Sequence, residues 1–267
     1  MSEDIKNTAI TVAGYIYQNR QGLRILCDWL DAPARYIRVR FECDDEAVAP
    51  MGLDDIVVER ADGLVDLQQV KFTPASHVHS LCWSWMLEKT GTTARSRSML
   101  RKWFDAFKAL DPARTGLLSL TTNRRPDADI EACPDGGKIS FAKIPEPRRS
   151  EVIAELGGEQ DCQTFFSQLL ICHSDKGFDT LEQEVDARLR KHGTLEGIAT
   201  LKNIALNWAT RKNFPPPDGW ITLEQVRNVL WSRQPVPLPE DFVVPALGHH
   251  AAAVEWIEVD AKVALGS

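Results

Sequence analysis

Apolar residues recur at three- and four-residue steps between positions 7 and 30, at Ile10, Ala13, Tyr17, Leu23, Leu26 and Leu30. That spacing predicts a helix with one buried face, and Pro33 lies just past its expected end. Tyr36 to Phe41, YIRVRF, alternates apolar and basic residues and reads as a strand. Two β-branched runs, Ile56-Val57-Val58 and Val65 to Val70, flank Ala61-Asp62-Gly63 and predict a β-hairpin. A helical stretch follows over roughly Ser80 to Leu110, with Gly91 as a candidate break. Thr115 to Thr122, TGLLSLTT, reads as a buried strand ending in Asn123-Arg124-Arg125, and Lys138 to Ala142 as one more short strand. Helix, three strands, helix, strand is the order of an α/β unit with a mixed sheet.

After Pro145 the pattern turns helical, over Glu151 to Leu156, Cys162 to Leu170, Leu181 to Lys191 and Ile198 to Thr210. Pro215-Pro216-Pro217 interrupts it, and Thr222-Leu223-Glu224-Gln225 reads as a capping box opening a last helix to Trp231. The expected organisation is an α/β domain over 1–145, an all-helical module over 146–232, and a Pro-rich tail or linker over 233–267 leading into something further.

Composition narrows the function. With 43% hydrophobic and 26% charged residues and no low-complexity tract, the chain reads as globular. Its apolar runs are far short of the roughly 20 residues that a membrane-spanning helix needs. The polar, acidic start MSEDIKNTAI does not read as a signal peptide. The six cysteines form no C-x-x-C pair, which argues for reduced thiols in a cytoplasm and against a zinc or disulfide framework. A net charge of −7 requires any nucleic-acid contact to come from a local basic face. The chain contains no G-x-x-x-x-G-K-[ST], so a P-loop is excluded.

The candidate chemistry sits at one end of the hairpin. Asp54 and Asp55 enter the first strand, and Gln69-Val70-Lys71 ends the second. Residues two apart on a strand share a face, so Gln69 and Lys71 project together while Val70 packs on the other side. Which aspartate joins them depends on a one-residue register. Phosphodiester hydrolysis needs a divalent cation held by hard oxygen ligands, carboxylates or amide carbonyls, beside an ammonium that offsets charge on the phosphate. This hairpin end carries all three groups.

An aspartate followed on a β-hairpin by (D/E/Q)-x-K, after a helix and a strand, resembles the PD-(D/E)xK restriction-endonuclease-like superfamily. Gly52-Leu53-Asp54-Asp55-Ile56 with Gln69-Val70-Lys71 looks like its Mrr-type branch, which uses Gln-x-Lys. Four further features are similar to the double-stranded-DNA endonuclease domains of bacterial anti-phage systems. These domains occur in CBASS operons, beside HerA-type ATPases, or fused ahead of STAND-type NTPases. The features are Gly14-Tyr15-Ile16-Tyr17-Gln18, Phe41-Glu42, Asp54-Asp55-Ile56 and Thr121-Thr122-Asn123.

The resemblance implies a restriction-endonuclease-like mixed sheet flanked by helices, with residues 1–145 as the nuclease domain. It implies a Mg²⁺-dependent deoxyribonuclease, with Mn²⁺ as a substitute ion, acting as an anti-phage effector. Asp54 or Asp55 would be the principal ligand, with Asp54 favoured by the Gly-Leu-Asp-x-Ile string. Gln69 would be a second ligand or position water, Lys71 would be the catalytic lysine, Glu42 a further ligand, and Gln18 a support from the first helix. Implied partners are double-stranded DNA, a HerA-type or STAND-type NTPase in trans or fused C-terminally, and further copies of the chain. No proline precedes the aspartate, and Gln replaces the superfamily's acid, so a single bound ion is expected. That same Gln keeps open an inactive nuclease-fold module for assembly or DNA sensing.

Phosphate contacts are expected from Glu88 to Arg114, where seven basic residues face three acidic ones. Arg95, Arg97, Arg101 and Lys102 are the candidates, with Trp103 or Trp85 available for stacking. Asp44-Asp45-Glu46 reads as a solvated acidic loop and His77-Val-His79 as a polar loop. Trp29, Trp208 and Trp231 are expected in the core.

Overall fold

The computed structural model describes residues 2–89, 96–131, 134–135, 137–210 and 219–231. Gly91, Arg95, Cys133, the three prolines at 215–217 and the tail at 233–267 lie outside the described residues. Helix α1 (Ser2–Asp31) leads into strand β1 (Tyr36–Phe41), then the hairpin β2 (Ile56–Arg60) and β3 (Val65–Lys71). Two helices, α2 (Trp83–Leu87) and α3 (Met99–Ala109), cross to β4 (Thr115–Thr122). Short elements α4 (Ala128–Glu131), β5 (Pro134–Asp135) and β6 (Lys138–Ile139) precede α5 (Arg148–Leu156), α6 (Glu159–Gln168) and β7 (Leu169–Cys172). Helices α7 (Phe178–Leu189), α8 (Leu195–Thr210) and α9 (Leu223–Trp231) follow.

The strands form one mixed sheet in the order β1-β2-β3-β4-β7-β6-β5. β1, β2 and β3 are antiparallel, β3, β4 and β7 run parallel, and β6 and β5 return antiparallel. Gly63 turns the hairpin with φ 84°, a conformation that costs a residue lacking Cβ little. Along β3 the alternation splits the sheet's faces. Val65 and Leu67 join a core with Val57, Leu118, Trp83, Trp103 and Phe166, while Val70 joins Ile56, Val58, Tyr17 and Leu23 on the other face. Each such side chain, fully buried, contributes about 1.5–3 kcal/mol.

The span 146–232 is not all helical, because Leu169 to Cys172 form β7, paired in parallel with β4. The same span fills both cores, through Val152, Phe165 and Phe166 on one face and Leu181, Val185 and Leu201 on the other. A four-residue apolar run cannot be told from the end of a helix by periodicity; its partner strand decides. The helical stretch over 80–110 is two helices, interrupted between Leu87 and Met99, the interval in which the candidate break was expected. α3 begins at Ser98, whose hydroxyl accepts from Arg101 N at 3.0 Å, a cap worth about 1 kcal/mol.

The outer edge of β1 is closed by Ile221, which exchanges two backbone hydrogen bonds with Val39, at 3.0 and 2.7 Å. That leaves less of the edge open for pairing with another chain. The capping box forms as expected: Gln225 N donates to Thr222 Oγ1 at 3.3 Å, and Thr222 N donates to Gln225 Oε1 at 2.8 Å. Trp29 is fully buried and Trp208 half-buried in the core, but Trp231 is 58% exposed. No described helix is long and apolar enough to cross a membrane.

Candidate active site at the strand ends

β3 and β4 run parallel, so Lys71 and Thr122 finish side by side, at the end of the sheet where β1 stops and β2 starts. Ligand sites of α/β sheets commonly lie at the carboxyl ends of parallel strands. The ladder continues one row past the strand ends. Glu42 N donates to Asp55 O at 3.0 Å, and Cys43 N donates to Asp54 O at 2.8 Å. In the hairpin Ile56 stands opposite Gln68, so the next row sets Asp55 opposite Gln69. This settles the register that the sequence left open. Asp55 is the aspartate facing the amide.

Asp55 is 7% exposed and Gln69 3%. Asp55 Oδ2 accepts from Gln69 Nε2 and, at 2.7 Å, from Val70 N. Asp54 is half-buried, and its Oδ1 accepts from Gly52 N at 2.8 Å, closing the turn that enters β2. Glu42 has a left-handed backbone, φ 49°, that takes the chain out of β1. Its carboxylate accepts from Gln18 Nε2 on α1. The structure thus brings Glu42, Asp54, Asp55, Gln69 and Gln18 to one end of the sheet, with Lys71 on the face of β3 that carries Gln69.

The electrostatics couple these groups. Burial pushes the Asp55 carboxyl up to about 7; Lys71 and the Val70 N–H oppose the rise, while Glu42 and Asp54 add to it. Glu42 is also raised, chiefly by burial, with Asp54 reinforcing the rise and Gln18 and Lys71 opposing it. Crowded carboxylates in a poorly solvated place gain from a nearby cation. Their hard oxygens, with the Gln69 carbonyl, suit Mg²⁺, which takes one or two carboxylates and keeps several waters. Among the described residues no group of three or more His, Cys, Asp and Glu is placed to hold a metal ion.

Two openings flank the row. A cavity of about 40 Å³ lies between α1, α8 and the strand ends, lined by Gln18, Asn19, Glu42 and Asp55. Asn19 was missed in the sequence; its Nδ2 is buried without a hydrogen-bond partner among the described residues. Only its place beside Gln18 hinted at a role. On the other face a cleft of about 320 Å³ is lined by Gly52, Gln69, Lys71, Trp85, Lys102 and Arg124, among others.

Packing behind the row holds it in place. Tyr17, two residues into the Tyr15-to-Gln18 motif, stacks on Phe72 with ring centroids 4.6 Å apart, and its hydroxyl donates to Lys176 O at 3.1 Å. Asn123 holds the chain just past Lys71. Its Oδ1 accepts from Thr73 N at 2.9 Å, and its Nδ2 donates to Thr73 O at 2.7 Å. Gln68 donates to Thr121 Oγ1 at 2.6 Å. The Thr121-Thr122-Asn123 string is the clasp that holds the end of β3 to β4.

The expected basic face is largely committed elsewhere. Arg97 and Arg101 both pair with Asp105, at 2.6 and 2.8 Å, and Arg101 also donates to Glu155 O. Lys89 and Lys108 pair with Glu155 and Asp161. Asp105 on α3 itself takes both arginines, Arg101 at i,i+4, while α5 and α6 bring Glu155 and Asp161 to Lys89 and Lys108. Lys102 alone of the four candidate contacts lines the cleft beside Lys71, and Arg95 lies outside the described residues. Trp103 is 1% exposed and so closed to a ligand; Trp85 is half-buried on the cleft wall. Asp44 pairs with Arg40, as suits a solvated acidic loop. No protein-family model matches this chain, and a comparison with curated proteins found no match.

Proposed function

We propose that this protein is a Mg²⁺-dependent endonuclease that hydrolyses phosphodiester bonds in DNA, an effector of bacterial anti-phage defence. The observation that supports it most is the row of Glu42, Asp55 and Gln69 across three adjacent strand ends, with Lys71 on the Gln69 face bordering an open cleft.

Glu42, Asp54, Asp55 and Gln69 would hold the ion, which when bound supplies Lewis acidity and a more acidic water. Water attacks phosphorus in line, the bond to the leaving oxygen breaks, and that oxygen takes up a proton. The Lys71 ammonium faces the carboxylates' field and offsets negative charge on the phosphate. Gln69 donates through Nε2 to Asp55, which orients the amide and leaves its carbonyl oxygen to accept from water. Gln18 fixes the Glu42 carboxylate. Asn123 acts through the backbone of Thr73 and is a positioning residue.

A chain of net charge −7 binds DNA weakly by itself. Activity is therefore tied to assembly, with further copies or with an NTPase partner, which raises the local DNA concentration. Plasmid cleavage that requires Mg²⁺ and disappears in Lys71→Ala and Asp55→Asn is the expected result. Cleavage retained in Lys71→Ala would end the proposal.

A second reading, an inactive nuclease-fold module for assembly or DNA sensing, has one observation in its favour. The Asp55 Oδ2 oxygen is already engaged by Gln69 and Val70. DNA binding without cleavage in Mg²⁺ or Mn²⁺, with the assembled protein, would select it.

A further inference from the structure

β4 does not end its work at Asn123. The next residue, Arg124, lines the cleft that holds Lys71. Its guanidinium carbon lies 4.3 Å from the centre of the Trp85 ring, and Nη1 donates to Ser80 O at 3.1 Å. These two contacts fix the plane of the fork. Nε is buried and has no hydrogen-bond partner, and no carboxylate forms an ion pair with Arg124, among the described residues. Arg97, Arg101, Lys89 and Lys108 are each neutralised by an acid, so Arg124 stands apart from the basic residues around it. Burial disfavours its charge, and among the described residues no carboxylate pairs with it to repay that cost. An anion would.

The position is equally informative. Arg124 and Trp85 line the Lys71 cleft, and they also line a wide trough on their other side with His79, Ser84 and Asp127. They form the wall between the two. An extended chain leaving the Lys71 cleft toward the trough must cross this wall, and Lys102 adds a second cation on the cleft side. Glu88, which borders both hollows, excludes a wholly basic surface and limits the anion's place to the Arg124 and Lys102 side. Arginine suits this task, because its planar, weakly hydrated fork can stack on an aromatic ring while its edge binds phosphate oxygens.

We propose that Arg124, braced on Trp85, forms with Lys102 a subsite for the phosphate next to the scissile one on a nucleic-acid strand. This rests on the hydrolytic reading for the word scissile, but the binding itself does not.

The test separates binding from cleavage. Anisotropy of a labelled DNA oligonucleotide is followed with the full chain in EDTA over a salt series, beside plasmid cleavage in Mg²⁺. Arg124→Ala is expected to weaken binding about tenfold and to lower the magnitude of the log Kd against log salt slope by about 1, the loss of one phosphate contact. Lys102→Ala should lower the slope similarly, Arg124→Lys less, and Arg97→Ala, which does not line the cleft, not at all. An Arg124→Ala slope equal to wild type overturns the subsite, even if affinity falls, because lost packing alone leaves the slope unchanged. If Arg124→Ala does not fold by circular dichroism, Arg124→Lys and Lys102→Ala decide on the same criterion. Reduced slopes uphold the subsite whether or not the chain alone cleaves DNA. Cleavage by the wild type with unchanged slopes would defeat the subsite and leave the hydrolase standing, and no binding at low salt would defeat the subsite.

Discussion

Gln69 donates its amide N–H to Oδ2 of Asp55 across the hairpin, and Val70 N–H reaches the same oxygen at 2.7 Å. The pair joins a carboxylate to the strand that carries Lys71. Asp55→Asn, Asp54→Asn and Lys71→Ala should each lower Mg²⁺-dependent cleavage by about 10²–10³-fold, the scale for losing one group that stabilises charge in a transition state. Chelation by EDTA should abolish it. Initial rates of plasmid nicking, with folding checked by circular dichroism, measure this; full activity in Asp54→Asn would remove that residue from the ligand set.

The same carboxyl makes stability depend on pH. Burial raises Asp55 from its ordinary value of 3.8 to about 7. Folding therefore takes up protons between those two values. The stability associated with this group is fully present below the unfolded pKa and is lost as pH rises through about 7. Glu42 shifts in the same direction, so the Asp55 contribution is isolated by difference. In EDTA, the stability of wild type relative to Asp55→Asn should fall between about pH 5 and about pH 8. Urea unfolding at both pH values measures it, and a difference that does not move with pH would contradict the burial argument.

Asn123 makes two hydrogen bonds to one backbone unit, Thr73 N and Thr73 O, both buried. Alanine there strands a donor and an acceptor, a cost of about 1–3 kcal/mol in unfolding free energy. Aspartate restores only the acceptor and should recover part of the loss. Chemical denaturation of the two variants gives the comparison, and equal stability of wild type and Asn123→Ala would show that the clasp is replaced by water.

Gly197 allows α8 to approach α9. A Cβ there would lie 2.0 Å from the carbonyl oxygen of Leu230, a backbone atom that cannot rotate away. Gly197→Ala should destabilise by about 1–3 kcal/mol or more through forced displacement of the helices. Gly14 on α1 has nothing within 4 Å of its Cβ position, so Gly14→Ala should stabilise by about 0.5–1 kcal/mol. Thermal melts of the two should move in opposite directions.

The hairpin, the first strand and the strand at 115–122 were legible in the sequence because their β-branched alternation is local and strong. The helix from 223 was legible because Thr222 and Gln225 satisfy each other's backbone partners within four residues. β7 was not legible. Leu169 to Cys172 carry no periodicity of their own, and only β4 beside them makes them a strand. Trp231 followed the apolar pattern of its helix and still faces outward, since no described element covers that side.

For the candidate site, the sequence by itself determined which groups gather at the hairpin's end. Alternation forces Gln69 and Lys71 onto one face, and Asp54 and Asp55 must enter the opposite strand. The tertiary structure decided the rest. The ladder register chose Asp55 to face Gln69, α5 and α6 brought Glu155 and Asp161 to Lys89 and Lys108, and Arg124 was set on Trp85 beside Lys71. The physical reason is range. Side-chain direction along one strand follows from the backbone alone, whereas register, ion pairing and stacking depend on which distant segment packs alongside.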